Sequence, residues 1–501
     1  MGAGGPAVSC AAPLLSRNSV SQSWHGIPAA YLKSSRRIGL PGADKPEPAR
    51  FASSPLSSRE RGVLPETGRR ARRAAAFAVL RQLTHFGIIG PPVPGHMNPF
   101  MALAHELQAR GQKVTFFQIP DLEAEICSEE IGFYPIGVKE HPVGSLRKSL
   151  LELSTRSGLS ALRFTVRAIQ KTTETICRDA PAAVKAAQVD VLLVDQTEPA
   201  GGSVAEYLGL PFVTICNALA LNREPAVPPP FTPWKYRDDW WGRTRNQLGN
   251  RISDQILAPV RETLADHRAR WNLPAHNDLG ETFSPLAQIS QQPREFDFPR
   301  RCLPDVFHYV GPLRHPRRRQ VAFPWEWLDG RPLIYASLGT LQNRNPKLFH
   351  CFAEACRGLD VQLVIAGAAK ESLGPLPENV QAVSYAPQLE LLQKASLTLS
   401  HGGLNTVLDS LACGVPLVVM PITYEQPAIA QRVRWVGAGE TIPTSRVNSS
   451  LVRAQVTTVL GNPKYAEAAK RIAAGIAAAG GVRRACELIE KLGRSETELS
   501  I

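Results

Sequence analysis

The 501-residue sequence contains no apolar run long enough to span a bilayer, so no transmembrane helix is expected. Its nine cysteines form no Cys-x-x-Cys pair and no cluster with histidine. That argues against a disulfide framework or a zinc site, and for reduced thiols in a reducing compartment. Acidic residues are scarce at the start: residues 1–83 hold four against thirteen Lys and Arg. Most of the net charge of +13 therefore sits in the first sixth of the chain. The remainder carries only about +4, which is ordinary for solubility. A nucleic-acid partner has no support once that segment is set aside.

Residues 1–83 are rich in Ser, Arg, Ala, Gly and Pro and show no sustained periodicity. Two readings stand side by side: a transit peptide, which would place the protein in a plastid, or upstream sequence translated from an early start. A cytoplasmic protein, with or without membrane association, is expected in the second case. The folded chain is expected to begin near Leu83 and to alternate apolar strands with helices, the pattern of α/β doubly wound sheets. Strands are expected at 85–90, 113–118, 189–194 and 212–216, with helices at 99–111, 148–184 and 200–208. A second set follows, with strands at 332–337, 361–365, 396–399 and 416–420 and helices near 346–357, 404–413 and 426–436. Arg314, Arg317, Arg318 and Arg319 mark a solvated linker at 313–324. The expected plan is an extension (1–83), a first Rossmann-like domain (84–312), the linker, a second Rossmann-like domain (325–480) and a C-terminal helix and tail (481–501). The tail pattern is broken at Gly480-Gly481. Two such domains leave a cleft at the carboxyl ends of their strands, where ligands bind.

The segment 218–285 breaks the alternation, with Trp234, Trp240 and Trp241 near Arg237, Arg243 and Arg245. Aromatics among bases suit a membrane interface. The plainer reading is a helical excursion whose tryptophans cover the core or an acceptor cavity, and Asp238 and Asp239 dilute the positive charge.

The most informative stretch begins at Tyr385-Ala386-Pro387-Gln388. It continues through His401-Gly402-Gly403-Leu404-Asn405-Thr406, Asp409 and Gly414-Val415-Pro416 to Glu425-Gln426. Glycines after a strand let the backbone approach a ligand, and the following helix start offers free N–H groups to a diphosphate. Asn405 and Thr406 add side-chain donors there, and Asp409 falls one turn on, on the face of Asn405. No Asp-x-Asp motif offers a metal in the second half. Upstream, His96 in Pro94-Gly95-His96-Met97-Asn98-Pro99 is expected in the turn between the first strand and its helix, facing the cleft. Its imidazole suits removal of a hydroxyl proton near neutral pH. Asp195, ending the strand Val191–Val194, is the best partner to orient it, with Glu198 as fallback and Asp190 at the opposite edge.

This ordered set resembles the signature of the family 1 UDP-glycosyltransferases, a GT-B family of two Rossmann-like domains facing a cleft. Within it the chain looks most similar to the carotenoid glucosyltransferases. The resemblance implies an inverting, metal-independent transfer of a hexose from a UDP-sugar to a hydroxyl of a lipophilic acceptor, with no cofactor besides the donor. It implies that His96 is the base and that Asp195 orients it. Tyr385 would stack on the base, Gln388 and Asp409 would hold the ribose, and Thr340, His401, Gly403, Asn405 and Thr406 would meet the diphosphate. Glu425 and Gln426 would hold the sugar, although relatives carry Asp where Glu425 stands. A sterol or polyketide acceptor, and a silent lipid- or nucleotide-binding protein, are the alternatives.

Overall fold

The computed structural model describes residues 83–154, 156, 158–314, 321–339 and 345–499. The expected extension up to residue 82, the centre of the linker and Thr340 lie outside the described residues. Among the described residues, thirteen strands form two sheets, and every ladder is parallel.

The first sheet contains β1 (His85–Ile89), β2 (Lys113–Gln118), β3 (Gly132–Pro135), β4 (Val191–Asp195), β5 (Phe212–Cys216), β6 (Gln288–Ser290) and β7 (Phe307–Tyr309), in the order β3-β2-β1-β4-β5-β6-β7. The second contains β8 (Leu333–Ser337), β9 (Gln362–Ala366), β10 (Val380–Val383), β11 (Ala395–Ser400), β12 (Leu417–Val419) and β13 (Gly439–Thr441), in the order β10-β9-β8-β11-β12-β13. Central strands such as Val-Leu-Leu-Val-Asp (β4) and Leu-Ile-Tyr-Ala-Ser (β8) are buried along their whole length. A parallel sheet covered by helices on both faces needs such unbroken runs. The strands that periodicity did not reveal, β3, β6, β7, β10 and β13, are only three or four residues long and lie toward the sheet edges.

Two helices differ from expectation. The one expected at 99–111 spans Pro94–Ala109, so His96 lies in its first turn and not in a preceding loop. Pro94 suits a helix start, because its φ is preset and its missing N–H would find no partner there. The stretch 148–184 divides into Ser145–Ser154 and Gly158–Ala187. At the other end, Gly480 (φ +88°) separates the helices Pro463–Ala479 and Gly481–Leu499. The last helix returns to the first lobe, where Ala485, Cys486 and Ile489 join Phe100, Leu103 and Leu107 in one core.

The lobes meet around a buried ion cluster. Arg432, on the helix Gln426–Trp435 of the second lobe, donates from Nε to Asp297 Oδ1 of the first at 2.9 Å. Asp297 Oδ2 accepts from Arg300 Nε at 2.9 Å and from the Tyr309 hydroxyl at 2.8 Å. Phe298 lies under the Arg432 guanidinium at 4.3 Å. Burial would raise the Asp297 pKa, but the two guanidinium groups and Tyr309 overcome it and hold it at about 2. Removing one partner of such a buried pair leaves an uncompensated charge. Arg432→Met still leaves Arg300 on Asp297, so it should lower the unfolding free energy by only about 2 kcal/mol in urea titrations. Asp297→Ala, which strands two guanidinium groups, should cost more.

Candidate active site

β1 is flanked by β2 on one side and β4 on the other, so the first sheet reverses its winding between β1 and β4. A crevice opens at the carboxyl ends of strands at such a point. His96 follows β1 and Asp195 ends β4, and there His96 Nδ1 meets Asp195 Oδ2 at 2.8 Å. Asp195 is fully enclosed, whereas 18% of the His96 side chain remains accessible to a substrate.

Asp195 is held by four hydrogen bonds. Oδ2 also accepts from Asn217 Nδ2 at 2.9 Å, and Oδ1 accepts from Thr197 N at 2.8 Å and Thr197 Oγ1 at 2.6 Å. Burial pushes its pKa up, but His96 and the Thr197 donors bring it below the ordinary carboxylate range. An ionised Asp195 keeps the proton on His96 Nδ1 and leaves Nε2 facing the cleft. Burial would lower the His96 pKa, but the charge and hydrogen bond of Asp195, with the charges of Glu425 and Glu198, raise it to about 9. Glu425 belongs to the opposite lobe, so its charge reaches the imidazole across the cleft. Glu198 holds the N-cap position of the helix Pro199–Leu208 without a side-chain cap bond, and its Oε2 has no hydrogen-bond partner among the described residues. Burial and then the Asp195 charge push its carboxyl up to about 8.

The second sheet reverses at β8, between β9 and β11. His401 follows β11 and is buried against the loop after β8. A Cβ on Gly339 would come within 2.8 Å of the imidazole and one on Gly403 within 2.7 Å, so only glycine fits on these two sides of the ring. Burial lowers the His401 pKa to about 4, with the Ser337 carbonyl opposing weakly. The ring is therefore neutral and offers a hydrogen bond to an anion, not a charge. Its Nδ1 has no partner of hydrogen-bonding geometry among the described residues. The helix Leu404–Ala412 starts immediately after Gly403, with its first N–H groups unpaired by the ladder.

The other expected donor-binding residues surround this helix end, several of them engaged with protein. Asp409 Oδ2 accepts from Gln388 Nε2 at 2.6 Å, and Gln388 Oε1 accepts from the Tyr335 hydroxyl at 3.0 Å. Asp409 Oδ1 pairs with Arg314 at 2.5 Å. Arg314, expected as a solvated linker residue, is thus a partner of Asp409, the carboxylate expected at the ribose. The Tyr385 ring is 60% exposed at the mouth of this network. Gln426 Oε1 accepts from Ile422 N and Thr423 N, both at 2.9 Å, so this oxygen braces the loop that carries Glu425. Tyr424 in that loop holds φ +54°, a strained conformation for a residue with a side chain. Thr406 is buried in the helix start. Asn405 crosses the cleft: Nδ2 donates to Gly95 O and Oδ1 accepts from Gln291 Nε2, both at 3.0 Å. Thr197, Asn217, Gln291 and Arg314 escaped sequence reasoning. The first three stand just past β4, β5 and β6, and that position relative to the sheet was the signal available for them.

This geometry has relatives. Residues 94–215 match the glycosyltransferase family 28 N-terminal domain, and residues 352–490 match the C-terminal domain of erythromycin biosynthesis protein CIII-like proteins. The zeaxanthin glucosyltransferase of Pantoea ananas is 36% identical over 82% of this chain and 96% of its own length. That of Pseudescherichia vulneris is also 36% identical, over 82% and 98%. The chain belongs to the family 1 glycosyltransferases. Its two lobes are those of a GT-B transferase: the structure of CalG4, the calicheamicin glycosyltransferase, superposes with a TM-score of 0.64. That superposition covers 82% of this chain and 99% of CalG4, at 23% identity.

If His96 serves the transferase as its base, its raised pKa sets opposite slopes for activity and stability. A base must be neutral to accept a proton, so kcat/KM should rise with pH toward about 9. Asp195→Asn should move that limb to lower pH and reduce the maximum. The His96 contribution to stability is complete below the unfolded value of 6.5 and is lost as pH rises through about 9. Thermal melts of wild type and His96→Gln across pH 6 to 10 should converge at the alkaline end.

Proposed function

We propose that this transferase moves glucose from UDP-glucose to a hydroxyl of a lipophilic small molecule, a hydroxylated carotenoid, with inversion at the anomeric carbon. The observation that carries the mechanism is the His96–Asp195 pair at one switch point, facing the helix start at Gly403 and Glu425 from the other lobe. The carotenoid acceptor follows from the 36% identity to two zeaxanthin glucosyltransferases over nearly their whole length.

His96 Nε2 takes the proton of the acceptor hydroxyl while that oxygen forms a bond to the anomeric carbon. The bond from that carbon to the diphosphate oxygen breaks on the opposite face, so an α-linked donor gives a β-glycoside. Asp195 stabilises the imidazolium that forms. The N–H groups at the start of the helix Leu404–Ala412 and the neutral His401 ring hold the departing diphosphate. Glu425 receives hydroxyls of the sugar, and Tyr385 offers a ring to the nucleobase. The deciding experiment incubates the protein with UDP-glucose and zeaxanthin and determines the product anomer by NMR. A β-glucoside is expected, and an α-glucoside would refute single displacement. His96→Ala should lower kcat by about 10²–10⁴-fold with UDP affinity retained.

A bilayer would be the source of such an acceptor, and the first lobe has a surface suited to one. Trp240 and Trp241 are 61% and 62% exposed and stack at 3.8 Å at the start of the helix Trp240–Ile256. Trp241, Leu248 and Ile252 follow one helical face and are all exposed. Lys235, Arg237, Arg243, Arg245, Arg251 and Arg301 stand in or beside this segment against Asp238, Asp239 and Asp254, an excess of positive charge that favours an anionic surface. Arg237, Trp241 and Arg245 also line a cavity of about 460 Å³. We propose that this face rests on anionic lipid. Vesicles of brominated phosphatidylglycerol should quench part of the wild-type tryptophan fluorescence. Trp240→Ser/Trp241→Ser should lose that part while glucosylating detergent-dissolved zeaxanthin normally. Equal quenching in both proteins would refute the contact.

A further inference from the structure

Pro99 lies inside the helix Pro94–Ala109. A proline there supplies no N–H to the carbonyl four residues earlier. That carbonyl belongs to Gly95, immediately before His96. Its donor comes from the opposite lobe instead, because Asn405 Nδ2 reaches Gly95 O at 3.0 Å.

The orientation of the Asn405 amide is fixed by its neighbours. Gln291, buried just past β6, directs Nε2 both to the Asn217 carbonyl and to Asn405 Oδ1. A backbone carbonyl can only accept, so the Gln291 atom facing it must be the amide nitrogen. The Asn405 atom facing that nitrogen is then the oxygen, and Asn405 Nδ2 is left for Gly95. The path continues inward, since Asn217 Nδ2 donates to Asp195 Oδ2 at 2.9 Å and reaches the His96 carbonyl at 3.5 Å. Hydrogen bonds thus run from the first turn of the second-lobe helix to both members of the His96–Asp195 pair. Both polar groups of Asn405, expected on the diphosphate, are occupied by this crossing.

We infer that Pro99 and Gln291 are positioning residues for glycosyl transfer. The proline keeps the Gly95 carbonyl open so that Asn405 can tie the His96 helix to the helix that receives the donor, and Gln291 orients the Asn405 amide for that bond. The tie fixes the distance between the base and the anomeric carbon, two groups carried by different lobes. Such a distance governs rate steeply, since a misplacement of about 1 Å can cost 100-fold. The inference rests on His96 acting as the base.

The test compares Pro99→Ala, Gln291→Ala and their combination with UDP-glucose and zeaxanthin as substrates. An alanine in place of Pro99 would give the Gly95 oxygen an intrahelical donor in competition with Asn405, and the helix would lose no bond. Pro99→Ala should therefore melt no lower than wild type and yet show kcat reduced about tenfold or more, with donor KM within about twofold. Gln291→Ala should show the same split between kcat and KM. The double variant should lose little beyond either single variant, because both act on one tie. Gln291→Glu, which sets an acceptor against two acceptors, should be at least as slow as Gln291→Ala. Wild-type kcat in both Pro99→Ala and Gln291→Ala overturns the tie, as do losses that multiply in the double variant or follow the melting temperature. His96→Ala in the same assay separates the two levels. Full turnover in that variant removes the base itself, whereas an inactive His96→Ala beside wild-type kcat in the other variants removes only the tie.

Discussion

The buried contact between Arg432 and Asp297 is the constraint on which the cleft depends. It joins the two sheets through a pair of charges that water does not reach, and such charges tolerate little displacement because separation would leave Arg432 desolvated without a counter-charge. Arg300 and Tyr309 complete the coordination of Asp297, and Phe298 covers the Arg432 face. The second lobe is thereby referenced to the segment that follows β6 in the first. Gln291 lies at the head of the same segment, so one short stretch of chain both seats the second lobe on the first and reaches toward His96.

The site divides its charges unequally between the lobes. His96 and Asp195 form an ion pair in the first lobe, whereas His401 in the second is kept neutral by burial between glycines. A protonated His401 would hold a diphosphate tightly before and after transfer alike, and uniform binding of that kind does not accelerate a reaction. Under the proposed function, neutral donors and a helix start would stabilise the departing anion with less grip on the product. Arg314, paired with Asp409, brings a positive charge to the helix Leu404–Ala412 from outside its own lobe's sheet.

Much of this was legible in the sequence, for identifiable reasons. The central strands are long apolar runs, and a parallel sheet demands such runs, so β1, β2, β4, β5, β8, β9 and β11 stood out, and β12, itself three residues, showed through the buried run Leu417–Met420. The short edge strands carry three or four residues with too little pattern to separate from loops. The pairing of His96 with Asp195 followed from each standing at the end of a strand. What the sequence hid were contacts made by ordinary polar residues far apart in the chain. Nothing local distinguishes Gln291 or Asn217 from any solvated amide, and Arg314 was grouped with its basic neighbours as linker. Asn405 carried a signal, but for a ligand and not for the Gly95 carbonyl. Pro99 was visible as a helix boundary, and its internal position became apparent only with a helix that begins at Pro94.

The last helix leaves the second lobe and completes the core of the first, where Ile489 and Cys486 meet Phe100 and Leu103. The first lobe is therefore discontinuous in the chain: its beginning and its closing piece are separated by the whole second lobe. A chimaera that exchanges lobes at the linker alone would graft a foreign helix into an apolar core shaped for its own. Exchange of the first lobe between relatives consequently requires two junctions, one near residue 313 and one at Gly480.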